Sequence, residues 1–245
     1  MLIPDYAILL IICTVVFLVG SISVLLTFAL IKADLTPNQR QRYAMQVSLF
    51  ALVWFALVAG ISYSNALVPR EGFSFPLLGV LIVGSAVLGN ILLTRSITFN
   101  AALDAMPVHW LAVIQIYRVI GVIFLLLHAD GLLSAYFALS TGWGDIAVGI
   151  TAPVVGFLLW KDAAKYRIAG YLWCAAGIGD LLFVLYRAIN SAPGPLQTTA
   201  FDIPTVIIGY FPFPLIPLLV VPISLILHFQ MIRKLVKEAR REATG

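Results

Sequence analysis

Residues Tyr6–Ile31 read YAILLIICTVVFLVGSISVLLTFALI, a run without one acidic, basic or amide side chain. A helix needs about 20 such residues to cross a hydrocarbon layer roughly 30 Å thick. The run is continuous rather than alternating, which selects a helix over a barrel strand. It is also too long for the apolar core of a cleavable signal, and Met1–Tyr6 carry Asp5 but no Lys or Arg. The first span is therefore expected to stay in the mature protein.

Six further runs share this character: Tyr43–Ala66, Phe75–Thr94, Pro107–His128, Tyr136–Trp160, Ile168–Ile189 and Pro204–Ile232. The sequence predicts an all-α membrane protein, a seven-transmembrane-helix bundle over residues 1–232 with a basic cytoplasmic tail at 233–245. Gly142 and Gly144 are placed to delay the start of the fifth span. Charged residues make up only 11% of the chain, against roughly 25% in soluble domains. With a mean hydropathy of +1.04, the lipid bilayer is the expected partner for the surface. The net charge of +4 sits in loops beside the spans, so it reports topology, and no nucleic acid partner is expected. Cys13 and Cys174 lie inside apolar runs, which argues for packing rather than a disulfide framework.

Loop charge gives the orientation. Lys32, Arg40, Arg42, Arg95, Lys161, Lys165, Arg167, Arg233, Lys234, Lys237, Arg240 and Arg241 fall on one side of a seven-span layout; Arg70 and Arg187 fall on the other. The positive-inside rule then places the N-terminus outside and the C-terminus in the cytoplasm of a cell (inner) membrane. Trp110 and Trp160 suit an inner aromatic belt and Tyr136 an outer one. The basic extension after His228 is expected to ride on anionic headgroups. Pro212, Pro214, Pro217 and Pro222 predict a proline-kinked seventh helix, since each removes a backbone donor and clashes one turn back.

Ionisable residues at membrane depth cost at least about 2.5–3.5 kcal/mol each on insertion scales, so they are candidate functional groups. Three stand out: Arg118, Asp145 and Asp180, with Gln115 one turn from Arg118 on a neighbouring face. At about 1.5 Å per residue from the cytoplasmic ends, they come out roughly 16, 22 and 18 Å deep. Sequential antiparallel spans are usually neighbours, so one arginine can face two aspartates. The arginine stays charged, and a second carboxylate beside a like charge is the group to exchange a proton. The alternative is an ion network that only orients helices. Arg187 shares a stripe with Trp173 and Asp180 and leans toward Asp180, as an outer partner or a snorkelling side chain. His109 and His228 share an inner level, but no H-x-x-x-H pair occurs. Haem or metal through them is not expected, and no other cofactor is implied.

Seven spans with an outside N-terminus and a proline-broken last helix resemble rhodopsins and G-protein-coupled receptors. That family's retinal proteins hold a lysine inside the seventh helix, whereas Lys234 and Lys237 follow the span here. The resemblance implies architecture alone. Gly142-Trp143-Gly144-Asp145 and Gly177-Ile178-Gly179-Asp180 are both G-x-G-D, similar to the motif of presenilin-like intramembrane proteases and prepilin peptidases. This resemblance implies Asp145 and Asp180 as a catalytic pair around a water, near a proline-rich element at Pro212–Pro217. The chain departs from that family in motif order, in helix number and in carrying Arg118. An aspartyl dyad requires Arg118 to lie away from the pair.

Three functions follow as expectations. The first is a transporter, channel or binding protein for a small polar or charged solute or a proton, with a site of Arg118, Gln115, Asp145, Asp180 and Arg187. The second is an intramembrane aspartyl enzyme. The third is a seven-helix sensor whose basic tail meets a partner. Oligomerisation is left open.

Overall fold

The computed structural model describes residues 3–64, 66–68 and 76–244. Among these residues the chain is helical without strands. Its order is α1 (Asp5–Lys32), α2 (Pro37–Tyr63), α3 (Pro76–Arg95), α4 (Ile97–Ala105), α5 (Val108–Val113), a 3₁₀ stretch (Ile114–Gly121), α6 (Val122–Ala129), α7 (Ala135–Lys161) and α8 (Arg167–Ser191). A short 3₁₀ turn (Ile207–Gly209), a π-helical turn (Ile216–Val220) and α9 (Val221–Thr244) complete it. Seven segments are long and apolar enough to cross a membrane: α1, α2, Leu78–Arg95, Val108–Ala129, α7, α8 and Ile216–Thr244. Arg70, which the orientation argument used, lies outside the described residues.

Local sequence explains where the helices start and stop. Thr36 opens α2 with a capping box to Gln39, ahead of Pro37; such a box satisfies two orphan backbone donors at once. Ser96 and Ser134 cap α4 and α7 by accepting from Phe99 and Phe137 N–H. Met106 is extended before Pro107, as the residue ahead of a proline must be, and this separates α4 from the fourth span. α6 ends in a Schellman turn: Leu132 N–H donates to Leu127 O and Gly131 N–H to His128 O, both at 2.9 Å, with Gly131 at φ +70°. Glycine takes that left-handed position without a Cβ clash. The turn folds α7 straight back along the fourth span.

Burial identifies the centre of the bundle. The apolar window of the fourth span is 61% buried and that of the seventh 56%, against 6% for α2. The fourth span packs along α7, which packs on α8, and α9 closes against α3, α5 and α8. Gly121 and Gly149 set the approach of the fourth span to α7. A Cβ on Gly121 would meet Asp145 Cβ at 2.6 Å and Gly142 O at 2.7 Å; one on Gly149 would meet Val119 N at 2.6 Å. Small residues at a helix crossing let two backbones come this close. Of the cysteines, Cys174 is buried as a packing residue, whereas Cys13 is exposed on α1.

One element differs from the sequence reading, the start of the seventh span. The fifth span agrees with it: α7 covers Ala135–Lys161 against the expected Tyr136–Trp160, and under the Ser134 cap Gly142 and Gly144 do not delay its start. The seventh span does not begin at Pro204. Residues 204–215 form turns and a short 3₁₀ segment, and regular helix starts only at Ile216. With four prolines between 204 and 217, too many backbone donors are missing for a continuous ladder. The segment is nonetheless interior: Thr205, Ile207 and Phe213 are wholly buried, the setting in which irregular backbone is tolerated at membrane depth. After Ile232 the helix continues, α9 running unbroken to Thr244.

The end of α9 is fastened to α3 and α4 by polar contacts. Gln230 Nε2 donates to Asn90 Oδ1 at 2.8 Å, and Arg233 donates to Gln230 and Asn100. Lys234 Nζ, buried, donates to Leu103 O at 2.8 Å and Asp104 O at 3.2 Å, neutralising the negative end of α4. Lys237 and Arg241 pair with the Asp104 carboxylate at 2.5 and 3.3 Å. Burial raises the Asp104 carboxyl. The hydrogen bond from Lys237 and the charges of Lys237, Arg241 and Lys234 more than reverse this, so Asp104 titrates below the ordinary aspartate range.

Two outcomes follow. Gly149→Ala lowers stability by roughly 1–3 kcal/mol, because its Cβ meets backbone. Gly84→Ala, whose Cβ meets nothing within 4 Å, does not. Thermal unfolding in detergent separates the two. The Asp104 contribution is present above the unfolded aspartate pKa of about 3.9 and is lost as pH falls through the lower folded value. Asp104→Asn should therefore melt below wild type at neutral pH, by less than about 1 kcal/mol because its partners are largely exposed. That gap should close in acid.

Candidate functional site: an arginine between two aspartates

The 3₁₀ stretch Ile114–Gly121 builds the site. A 3₁₀ helix has three residues per turn, so side chains at i and i+3 eclipse one another. Burial follows that period: Val113, Ile116 and Val119 are exposed, while the two residues between each pair are buried. Gln115, Arg118 and Gly121 consequently stand on one inward face. The sequence reading had Gln115 and Arg118 on neighbouring faces, which holds for an α-helix but not for this tighter winding.

Arg118 is 1% exposed and spends its guanidinium on three helices. Nε donates to Asp145 Oδ1 of α7 at 2.8 Å. Nη2 donates to Asp180 Oδ2 of α8. Nη1 lies 3.3 Å from the Gly177 carbonyl and 3.4 Å from His228 Nε2 of α9. Sequence depth thus brought together the right three charges. Each carboxylate is 13% exposed, and among the described residues neither Asp145 Oδ2 nor Asp180 Oδ1 accepts a hydrogen bond.

The glycines of the two G-x-G-D stretches have a spatial role here. A Cβ on Gly144 would collide with the Asp180 carboxylate, and one on Gly177 with the His228 ring and, at 3.2 Å, with Arg118 Nη1. Gly144 makes room for one aspartate over the backbone of α7. Gly177 lets α8 approach the histidine and offers its carbonyl to the arginine. Arg118 sits between the two aspartates, not away from them as an aspartyl dyad requires.

His228 is the member that sequence reasoning placed elsewhere. Hydropathy ended the seventh span near Ile232 and put His228 near its inner end. Because α9 runs to Thr244, His228 lies twelve residues further into the helix than that boundary implied. Its ring packs against Trp173, tilted by 54° with ring centroids 5.0 Å apart, and Trp173 Nε1 donates to Thr151 Oγ1 at 3.0 Å. Tyr117 and Ser224 share a buried hydrogen bond of 2.5 Å beside the cluster.

Two candidates stand apart from the ion cluster. Gln115 is completely buried, and neither amide atom has a hydrogen-bond partner among the described residues. Arg187 turns away from Asp180: its Nη1 donates to Tyr136 O at 3.2 Å, and its guanidinium lies 3.8 Å over the Tyr136 ring. The flat guanidinium stacks on an aromatic face in a way that competes with an ion pair. His109 does not join His228; its ring lies edge-on to Trp110, beside α1. Among the described residues, no group of three or more His, Cys, Asp or Glu side chains is placed to hold a metal ion.

Residues 75–236 match a protein family described as a domain of unknown function (DUF8737). The chain belongs to this family. The matched residues include Arg118, Asp145, Asp180 and His228 and the contacts of Arg233 and Lys234 with α4, and leave out α1, α2, Lys237 and Arg241. No curated protein and no solved structure matches the chain.

Removing Arg118 leaves two buried carboxylates without their cation. Arg118→Met should cost about 3–5 kcal/mol, read as a large fall in melting temperature in detergent. Combining it with Asp145→Asn and Asp180→Asn should recover part of that loss. No recovery would mean that the charges do not act on one another.

Proposed function

We propose that the protein is a multi-pass membrane protein whose Arg118–Asp145–Asp180–His228 cluster binds and releases a proton, as the coupling site of a small-solute transporter or ligand-binding protein. In this reading the N-terminus is outside, the C-terminus is cytoplasmic, and the prolines of the seventh span kink it beside the site. The reading rests on one geometry: a single buried arginine serves one oxygen of each of two aspartates. With both aspartates ionised and the histidine neutral, the cluster carries one uncompensated negative charge. Such a charge is costly at membrane depth, and one proton neutralises it.

Further features support the reading. The two carboxylate oxygens without a hydrogen bond are available to take the proton. If His228 Nε2 accepts from Arg118, its own hydrogen sits on Nδ1, which has no partner among the described residues, leaving the ring able to pass a proton onward. Among the described residues the buried hydroxyl of Thr141, four residues before Asp145, and the amide of Gln115 also lack partners, and such groups suit a polar solute. Nothing in this geometry favours the aspartyl-enzyme reading, since one arginine holding both carboxylates opposes the shared proton that chemistry needs.

The test is the carboxyl stretch in the infrared, followed against pH on the protein in lipid. A protonated-carboxyl band that grows as pH falls and vanishes in Asp145→Asn plus Asp180→Asn is expected. The single variants should show which aspartate carries it. A band identical in the folded double variant, or no titrating band at all, removes the proposal.

A further inference from the structure

A groove of about 680 Å³ runs along the outer side of the bundle, between α1 and the start of the fourth span. Val16, Phe17, Gly20, Ser21 and Val24 line one wall, and Val113 and Ile116 are on the other. Its volume lies within the roughly 300–1,000 Å³ of small-molecule sites, and its walls are almost wholly apolar. The groove exists because α1 carries small residues where it passes the 3₁₀ stretch; a Cβ on Gly20 would meet nothing within 4 Å.

The cytoplasmic end of this groove is different. His109 and Trp110 close it. Phe28 packs on Trp110 with ring centroids 4.6 Å apart, and Lys32 Nζ lies 4.3 Å over the Phe28 ring. Phe17, Ser21, Val24, Phe28 and Lys32 recur at intervals of three and four, so the charge lies near the groove's own face of α1. Lys32, Arg40 and Arg42 lie at or after this end of α1 in sequence against a single acidic residue, Asp34, and Arg40 Nη2 folds back to donate to Ala33 O at 3.2 Å. From Phe28 to Val16 the helix rises about 18 Å, close to the roughly 15 Å of one leaflet's hydrocarbon.

We infer that this groove is a resident site for one anionic phospholipid of the cytoplasmic leaflet. An acyl chain lies along Gly20 and Ser21, and the phosphate meets Lys32 at the Trp110–Phe28 end. The apolar length and the positive rim each match one half of such a molecule, which a free phosphate or an apolar peptide would not. The site is distinct from the buried ion cluster and does not depend on its function.

Native mass spectrometry of the full chain, released from detergent with phosphatidylglycerol or phosphatidylcholine added, tests it. Wild type should retain one phosphatidylglycerol under activation that strips phosphatidylcholine. Gly20→Phe, which puts a ring into open groove, should weaken that retention by about tenfold or more. Lys32→Glu should keep lipid binding and lose the preference for phosphatidylglycerol. On the unaltered sequence, bromine-labelled phosphatidylglycerol should quench more fluorescence than its phosphatidylcholine counterpart, and Trp110→Phe should remove the difference. Equal retention of both lipids by wild type, equal quenching, or undiminished retention by folded Gly20→Phe would each overturn the inference.

Discussion

A guanidinium buried inside a helix bundle needs helices to converge and satisfy it, and much of this fold is arranged around that demand. Arg118 has five N–H donors and no acceptor. It takes one oxygen from α7 and one from α8, with the Gly177 carbonyl and the His228 ring at longer range. Those groups arrive because glycines clear the way. Gly121 and Gly149 bring α7 against the fourth span, Gly144 admits the Asp180 carboxylate, and Gly177 admits the histidine. Replacing the ion group with apolar side chains of equal volume is often neutral or stabilising in other proteins. Two carboxylates share one arginine here, where a single aspartate would balance it, and that surplus is what the proposed proton site would use.

The three charges were legible in the sequence because depth along antiparallel helices is a matter of counting at constant rise. Arg118, Asp145 and Asp180 each lie ten to sixteen residues from a recognisable helix end, at Val108, Lys161 and Arg167. The same counting failed for His228, whose true helix end lies at Thr244 among charged residues that hydropathy assigns to a tail. Arg233, Lys237 and Arg241 find their partners at Asn100 and Asp104, more than a hundred positions earlier. No local pattern announces a contact of that range.

Winding was the other illegible feature, although it left a trace. Val113, Ile116 and Val119 are β-branched and face outward; Gln115, Arg118 and Gly121 face inward. That is a period of three within a run read at 3.6. A short apolar run satisfies both periods loosely, and only the polar pair at 115 and 118 distinguishes them. The start of the seventh span was misplaced for a related reason: residues 204–215 are as apolar as a helix, but their prolines forbid one. Hydropathy measures where a segment can be buried, not what backbone it adopts.

The 3₁₀ stretch also changes how far the fourth span reaches. Val108–Ala129 has 22 residues, whereas the neighbouring α7 has 27. Eight residues at about 2.0 Å of rise and the other fourteen at about 1.5 Å give roughly 37 Å, against about 33 Å for an unbroken α-helix. α7, at about 1.5 Å per residue, is roughly 40 Å long. Overwinding therefore lets the shorter helix nearly keep pace with its longer neighbour while turning the arginine inward. Rewinding the stretch to α would shorten the span by about 4 Å and swing Gln115 and Arg118 some 60° apart, so the span's length and the aim of its charge are set by the same eight residues.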